Sequence, residues 1–472
     1  MIHRGAGLRF VSGSWTALAV DVSHGILYRP VVGPMGYGGT RYMPLHFSLH
    51  GGLIALTNNA IASGAIVTLL SAIALLSGVY VLLRAYGVPR KWAACGITLA
   101  LASIASQLAI VTIRGDLLPA ALNVWGLALF ARRRNDQTVS VLFPTLLFSL
   151  AFAAKITTLF GLAACIVYLA LQKKYRDGLR MILAAAVGMI AVLVAAYFAS
   201  GGRIIESMRV CGSGGAGLVD ILTAPFKFAL FACLDLGFLP FFVATAIVLA
   251  ARVSELFREL HAHAVLWTLA VTIFIFGSPG IDFNHLLDLH VACVALLTIH
   301  MAQGTRPHLA TRICAAGGLL ASTAIFAVCA IAVRAFPVAL HDDRLAAYNA
   351  AHDGSGPVLS EDPWVPVMGG ETPFLLDPFN LRLACAKDER VQKDLWNRIA
   401  SHYFSGVVLT PIEDRASGQF DLHGAWLGTT HYGGLHFPPG FIEHLYTHYE
   451  PAAHIRCYLV LRPKREITAS GL

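Results

Sequence analysis

Charge is scarce in this sequence. Of 472 residues only 13% are Asp, Glu, Lys or Arg and 56% are hydrophobic, against a usual charged share of about 25%. A soluble chain so poor in charge would be difficult to keep dispersed, so the composition points to a polytopic membrane protein. The nine cysteines include no CxxC pair, which argues against zinc ribbons and redox motifs. Most of them lie in apolar runs, where a thiol behaves as a small hydrophobe. No internal repeat is visible. The net charge of +8 does not call for nucleic acid, because much of the Lys and Arg lies between hydrophobic runs, where membrane orientation requires it.

What is present divides into three parts: a first loop region over 1–60, a helical membrane domain over 61–335 and a small α/β domain over 336–472. Residues 14–47 form a polar stretch rich in Gly and aromatics. Its glycines Gly33, Gly36, Gly38 and Gly39, with Pro30, Pro34 and Pro44, exclude one continuous helix and favour a chain folded through turns. A loop of this length without a simple repeat is more often functional than a linker. From residue 60 onward apolar runs alternate with polar connectors. Spans are expected near 61–83, 93–113, 117–131, 138–154, 156–171, 181–199, 236–251, 263–278, 286–302 and 313–333. Several are near or below the roughly 17-residue limit for a straight crossing, so re-entrant segments are among the readings.

The connectors sort by charge. One set carries Arg84, Arg90 and Lys91; Arg132, Arg133 and Arg134; Lys173, Lys174, Arg176 and Arg180; Arg252 and Arg258; Arg306 and Arg312. The other holds 14–60, Arg114-Gly-Asp116, Lys155, 200–235, 277–285 and everything after 334. The basic set belongs on the cytoplasmic side, which sends the first loop and the C-terminal part to the other face. Ten spans would return both ends to one side, yet residues 1–20 hold Arg4, Arg9 and only a short apolar piece. The preferred reading is a spanning helix missing ahead of residue 1; a count off by one is the alternative.

Residues 336–472 have short apolar runs with frequent Pro, Asp and His. Stretches 406–410 and 457–461 read as buried strands, and 387–401 as a helix with Leu395 and Ile399 on one face. This part contains neither a GxGxxG between strand and helix nor a P-loop. Cys385 and Cys457 would pair in an oxidising compartment or stand as two free thiols.

The expected spans are almost free of charge, Asp288 and His290 excepted. Ionisable residues gather instead at the outer ends: Asp21, Arg29, Arg41, Arg114, Asp116, Lys155, Arg203, Glu206, Arg209, Asp282 and Asp288. Such groups are costly at this depth unless they pair or line a wet cavity, and several on one face favour a polar site over scattered interfacial anchors. Carboxylates beside several cations suit a reaction on a lipid-linked phosphate. Arg and Lys neutralise the leaving phosphate, and a carboxylate takes the proton of an attacking hydroxyl.

The opening stretch, Asp21 followed by Gly25, Tyr28-Arg29-Pro30 and Tyr37-Gly-Gly-Thr-Arg-Tyr-Met-Pro44, resembles the first extracytoplasmic loop of integral-membrane glycosyltransferases of the C type. It is most similar to bacterial relatives of the dolichyl-phosphate-mannose protein mannosyltransferases. The resemblance continues through Arg114-Gly-Asp116, Lys155 in Ala-Lys-Ile-Thr-Thr, Asn284-His285-Leu-Leu-Asp288, Leu359-Ser-Glu-Asp-Pro363 and Leu376-Asp-Pro-Phe379. It implies transfer of a sugar from a polyprenyl-phosphate donor to an extracytoplasmic glycan, lipid or protein acceptor, with inversion, in a bacterial inner membrane. It also implies that Asp21 is the base. Family members often carry an adjacent acidic pair there, whereas Val20 and Val22 flank Asp21.

Asp116 is then a second catalytic acid or the group that holds Arg114, with capping of the following helix as the structural alternative. Arg41, Arg114 and Lys155 are candidates for the donor phosphate, with snorkelling cations as the alternative. Asn284, His285 and Asp288 line the cavity or form a buried hydrogen-bonded cluster. Tyr37 and Tyr42 stack on sugar or prenyl chain, or belong to an aromatic belt. Of the histidines in 402–454, only His444 and His448 have i, i+4 spacing, and the Glu pattern of a zincin is absent, so no metal ligands are assigned; a divalent metal is left open as cofactor. A transporter or flippase for a lipid-linked or small substrate is the rival class. Transporters tend to place ionisable sites at the midplane, and the peripheral charges here favour the enzyme. About 20 apolar codons read upstream of the first Met would bear out the missing helix; their absence would leave the span count at fault.

Overall fold

The computed structural model describes residues 10–135, 140–303, 341–413, 420–426 and 429–464, with isolated positions between 312 and 327. The expected span 313–333 therefore lies outside the described residues apart from a few positions.

Among the described residues three helices are long and apolar enough to cross a membrane: Ala60–Ala85, Tyr175–Ala199 and Phe283–Ala302, the last opening with a 3-10 turn. The first has 26 residues, about 39 Å at 1.5 Å per residue, which exceeds the roughly 30 Å of hydrocarbon. Along Tyr175–Ala199, Leu179, Leu183, Val187, Ile190, Val194 and Phe198 are exposed at helical spacing. An apolar face of this length is stable against lipid rather than water. Shorter apolar helices at Leu142–Ala154, Phe160–Leu171 and Leu260–Ile275 pack among the long ones.

One expected span is not straight: within 93–113, helices Arg90–Ala100 and Ile104–Val111 meet at 77°. The expected span 236–251 is helix Leu239–Ala251, and the stretch 200–235, expected as a connector, contains helix Leu218–Leu234, which meets it at 117°. Counted by length and composition, the described residues hold three such spans, or up to five if each bent pair is one, and the three shorter apolar helices fall where further spans were expected. Both breaks have one cause. The buried carboxylate of Asp235 accepts from the backbone N–H groups of Ile104 (3.1 Å) and Ala105 (3.2 Å) at the start of one helix, and of Gly237 (3.1 Å) and Phe238 (3.0 Å) at the start of another. One side chain therefore satisfies orphan donors of two helix starts and joins the two bends.

The first stretch also departs from the expected loop. Phe10–Ser23 is a helix, buried from Ser12 to Asp21. It packs on Pro44–Thr57, on Ala60–Ala85 and on the short helix Trp364–Met368. Between the two early helices the chain turns through a hairpin of β1 (Val32–Gly33) and β2 (Gly36–Tyr37). The turn chemistry read from the glycines and prolines is confined to this middle segment.

The C-terminal part contains β3 (Val358–Ser360), β4 (Gly406–Leu409), the short pairs β5 (Ile412–Glu413) with β6 (Phe420–Asp421) and β7 (Ala425–Trp426) with β8 (Thr429–Thr430), then β9 (Tyr449–Ile455) and β10 (Tyr458–Pro463). The main sheet has the order β3-β4-β10-β9, with β3 parallel to β4 and the other pairs antiparallel. The strands expected at 406–410 and 457–461 are β4 and β10. The expected helix forms at Glu389–Ala400 and buries Val391, Leu395 and Ile399. Cys385 and Cys457 are free thiols in separate hydrophobic clusters. Val31, Tyr37, Val210 and Cys211 share a core with this sheet, so the early hairpin and the C-terminal part meet on one end of the helical region.

Asp235→Ala removes the acceptor of both helix starts. At about 0.5–2 kcal/mol per lost cap, it should cost about 1–4 kcal/mol and lower the Tm of the detergent-purified protein; Asp235→Asn, which keeps one acceptor oxygen, should cost less.

Candidate active site

Arg114-Gly-Asp116 joins helix Ile104–Val111 to helix Leu117–Asn135, and each of its residues has a separate task. Arg114 Nη1 donates to Asp282 Oδ2 at 3.0 Å. A Cβ on Gly115 would come within 2.3 Å of the Trp15 ring, so only glycine lets the first helix approach this turn. Asp116 accepts from Lys155 Nζ at 2.8 Å on Oδ1 and from Asn284 Nδ2 at 2.9 Å on Oδ2. Lys155 is the C-cap of Leu142–Ala154, and Asn284 sits in the 3-10 turn Phe283–Leu286, whose N-cap is Asp282. Three loops from three helix junctions thus converge on one carboxylate.

Around this centre Lys155 is within electrostatic reach of Asp288 and Arg41, and His285 of Lys155, Asp116 and Arg41. The Asp288 side chain makes no hydrogen bond or ion pair among the described residues and helps line a mainly apolar cavity with Leu82, Val124, Leu127, Phe160 and Val291. Tyr42 stacks on Trp15 with ring centroids 4.0 Å apart. The structure therefore brings together Asp116, Arg114, Lys155, Asn284, His285, Asp288, Arg41 and Tyr42.

Arg41 has no carboxylate partner among the described residues. Its Nη1 donates to Ser278 Oγ at 3.3 Å, and its guanidinium lies 4.8 Å from the centre of the Phe379 ring. A second guanidinium, that of Arg382, lies 5.1 Å from the same ring. Its Nε and Nη2 are buried without a hydrogen-bond partner. Burial, and then the neighbouring Arg41, lower the Arg382 pKa below its ordinary value: this place disfavours two adjacent positive charges and would welcome an anion. Helix Pro378–Lys387 carries both Phe379 and Arg382 and starts on Asp377, which accepts from Phe379 N at 2.9 Å. The facing loop is Gly212-Ser-Gly-Gly-Ala-Gly217. Gly214 has φ +60°, and a Cβ there would lie 2.5 Å from Arg41 Nη1, so a side chain is excluded twice.

Arg382 and this loop escaped the sequence reading. The signal was the GxGxxG spacing of 212–217, which here links helix Arg203–Cys211 to Leu218–Leu234 rather than a strand to a helix.

Two expected residues lie elsewhere. Tyr37 is fully buried between the hairpin and the C-terminal part. Its hydroxyl donates to Asp394 at 2.8 Å, its ring packs on Phe374, and its backbone pairs with that of Phe374 and Leu376. It is a structural joint, which corrects the expectation that it stacks on substrate. Asp21 lies six residues beyond Trp15, about 9 Å along the helix. Arg29 Nε donates to Asp21 Oδ2 at 2.7 Å and its Nη2 to Oδ1, while Nη1 donates to the carbonyls of Met35 and Pro373, both at 2.8 Å. The carboxylate is 1% exposed and both of its oxygens are engaged. His444 and His448, the pair with helical spacing, stack edgewise, and His444 bonds the Trp396 carbonyl. Among the described residues, potential metal ligands converge in one place, Glu361 with His431 and His436.

No family model and no curated protein matches the chain. Solved structures do. ArnT from Cupriavidus metallidurans bound to undecaprenyl phosphate is similar over 96% of this chain and 93% of its own length, with a TM-score of 0.55 and 12% identity. The apo form of the same protein gives 95%, 92%, 0.55 and 12%. At this identity the likeness establishes a shared fold across nearly the whole chain.

Arg29→Ala would leave Asp21 buried without its partner, and it is expected to cost about 3–5 kcal/mol. A lower Tm and freer proteolysis between residues 24 and 40 would be the measured signs.

Proposed function

We propose that this chain, which has the fold of a protein that binds undecaprenyl phosphate, is a membrane glycosyltransferase that takes a sugar from a polyprenyl-phosphate donor. The observation that carries the reading is the pair Arg41 and Arg382, neither in an ion pair with a carboxylate among the described residues, both set against Phe379 beside a glycine loop. Guanidinium groups not closed by an ion pair form a seat for a phosphate. Arg114 and Lys155 are each neutralised by a carboxylate and add less net charge. The narrow apolar cavity that Asp288 helps line would widen to take part of a prenyl chain, with its phosphate turned towards Lys155 and Arg41. The acceptor enters from the C-terminal side, which is extracytoplasmic in a bacterial inner membrane by the distribution of Lys and Arg.

The donor phosphate leaves as the acceptor hydroxyl attacks the anomeric carbon from the opposite face, with inversion. The proton of that hydroxyl goes to a carboxylate. Resemblance of the first loop assigns this role to Asp21, and Arg29 must then turn away from it when the donor binds. A second reading gives the role to Asp288, whose lone pairs are free without any such release. Asp116, held by Lys155 and Asn284, positions those two groups.

The test is transfer in nanodiscs with a panel of polyprenyl-phosphate sugars. Arg41→Ala and Arg382→Ala should each raise the donor KM about 10–100-fold, from the loss of a charged hydrogen bond worth about 1.5–3 kcal/mol; an unchanged KM moves the phosphate elsewhere. Asp21→Asn should lower kcat about 10²–10⁴-fold with Asp288→Asn nearly active, and the reverse pattern transfers the base to Asp288. Movement of the lipid across the bilayer without any new glycosidic bond would mark a flippase instead.

A further inference from the structure

Glu361 follows β3 and is fully buried. Its Oε1 is met by two imidazoles, His431 Nε2 at 2.7 Å and His436 Nδ1 at 2.6 Å. Its Oε2 accepts from the Tyr432 hydroxyl at 2.8 Å and the Thr410 backbone N–H at 2.7 Å. Among the described residues no Lys or Arg pairs with it. Four donors converge on one buried carboxylate with no permanent cation among the described residues to balance it, a costly arrangement for a charged group.

Both histidines come from one compact turn. His436 N bonds back to the His431 carbonyl at 2.8 Å, and Gly433 N to the His436 carbonyl at 2.8 Å, which folds a five-residue separation so that the two rings stand 4.6 Å apart. The three ligand atoms lie within 4.8 Å of one another. His431 is 14% exposed along its side chain, which leaves an approach from solvent.

We propose that Glu361, His431 and His436 form a binding site for a divalent transition metal, with zinc the best match to two imidazoles and one carboxylate. Ligands bound tetrahedrally at about 2.0–2.1 Å stand about 3.3 Å apart, so each imidazole nitrogen draws back from Oε1 by about 0.6–0.7 Å while the two nitrogens, within 4.8 Å of one another, settle at the same spacing. Oε2 keeps its two donors meanwhile, and these act as the outer partners that orient a ligating carboxylate. The ion replaces a pair of shared hydrogen bonds by a permanent counter-charge and leaves one position for water. Its place is structural: the turn also carries His436 against the Phe10 ring at 4.6 Å, and Phe437 N bonds the Pro378 carbonyl at 3.2 Å. The metal would therefore tie the C-terminal sheet to the first helix and to the start of the helix that bears Arg382.

The full chain in nanodiscs is stripped with chelator, equilibrated with Zn²⁺ and passed through gel filtration. About one zinc per chain should be retained, the Tm should rise, and Glu361→Gln and His431→Gln should each lose both effects. Zinc X-ray absorption of the unaltered protein needs no variant and should show nitrogen and oxygen near 2.0–2.1 Å with two imidazoles. Failure of the unaltered chain to retain zinc, retention undiminished in both variants, or a sulfur shell near about 2.3 Å would each overturn the site.

Discussion

A carboxylate and a guanidinium withdrawn from water must satisfy each other, and in the pair Asp21–Arg29 four of the five guanidinium N–H groups are engaged. Two nitrogens of Arg29 serve Asp21, and the third serves the carbonyls of Met35 and Pro373. Breaking such a pair costs more than its formation contributes, because the abandoned charge stays buried. The pair consequently fixes three segments at once: the end of the first helix, the early hairpin and the stretch that leads into Asp377 and Phe379. Arg41 meets Phe379 because those segments are held in that register.

The remaining charges divide by whether they are neutralised. Arg114 and Lys155 face carboxylates, and Asp116 holds Lys155 and Asn284 in one plane of contact. These are the groups that build the walls. Arg41 and Arg382 keep their charge for something else, and so does Asp288 on the opposite sign. A site for a phosphate ester and an attacking hydroxyl needs both kinds, rigid paired groups and unpaired ones aimed into the space between them. The Asp235 double cap supports the same end from within the helical region: it sets the bend ahead of Ile104, and the Arg114-Gly-Asp116 turn follows that helix.

Composition and patterning determined much of this protein by themselves. Scarce charge and repeated apolar runs announce a membrane protein, because burying a charge in hydrocarbon is costly. Short continuous apolar runs at 406–410 and 457–461 mark two strands of the C-terminal sheet. Ionisable residues between the runs mark out Asp116, Lys155 and Arg114, which the structure brings together with Asn284. These features are local or additive, and a one-dimensional pattern carries them.

What only the tertiary structure decided involves partners distant in sequence. That Asp21 is closed by Arg29 and Tyr37 is locked to Asp394 depends on packing across 8 and 357 residues. The bends at Asp235 depend on one carboxylate meeting N–H groups 131 and 130 positions away. Arg382 looks like an ordinary helical arginine until Phe379 and Arg41 stand beside it. His431 and His436 have no helical or strand spacing, and their common target, Glu361, lies some 70 residues earlier. Pairing of buried charges is chosen by the free energy of desolvation in the folded chain, and that quantity has no counterpart in a sequence window.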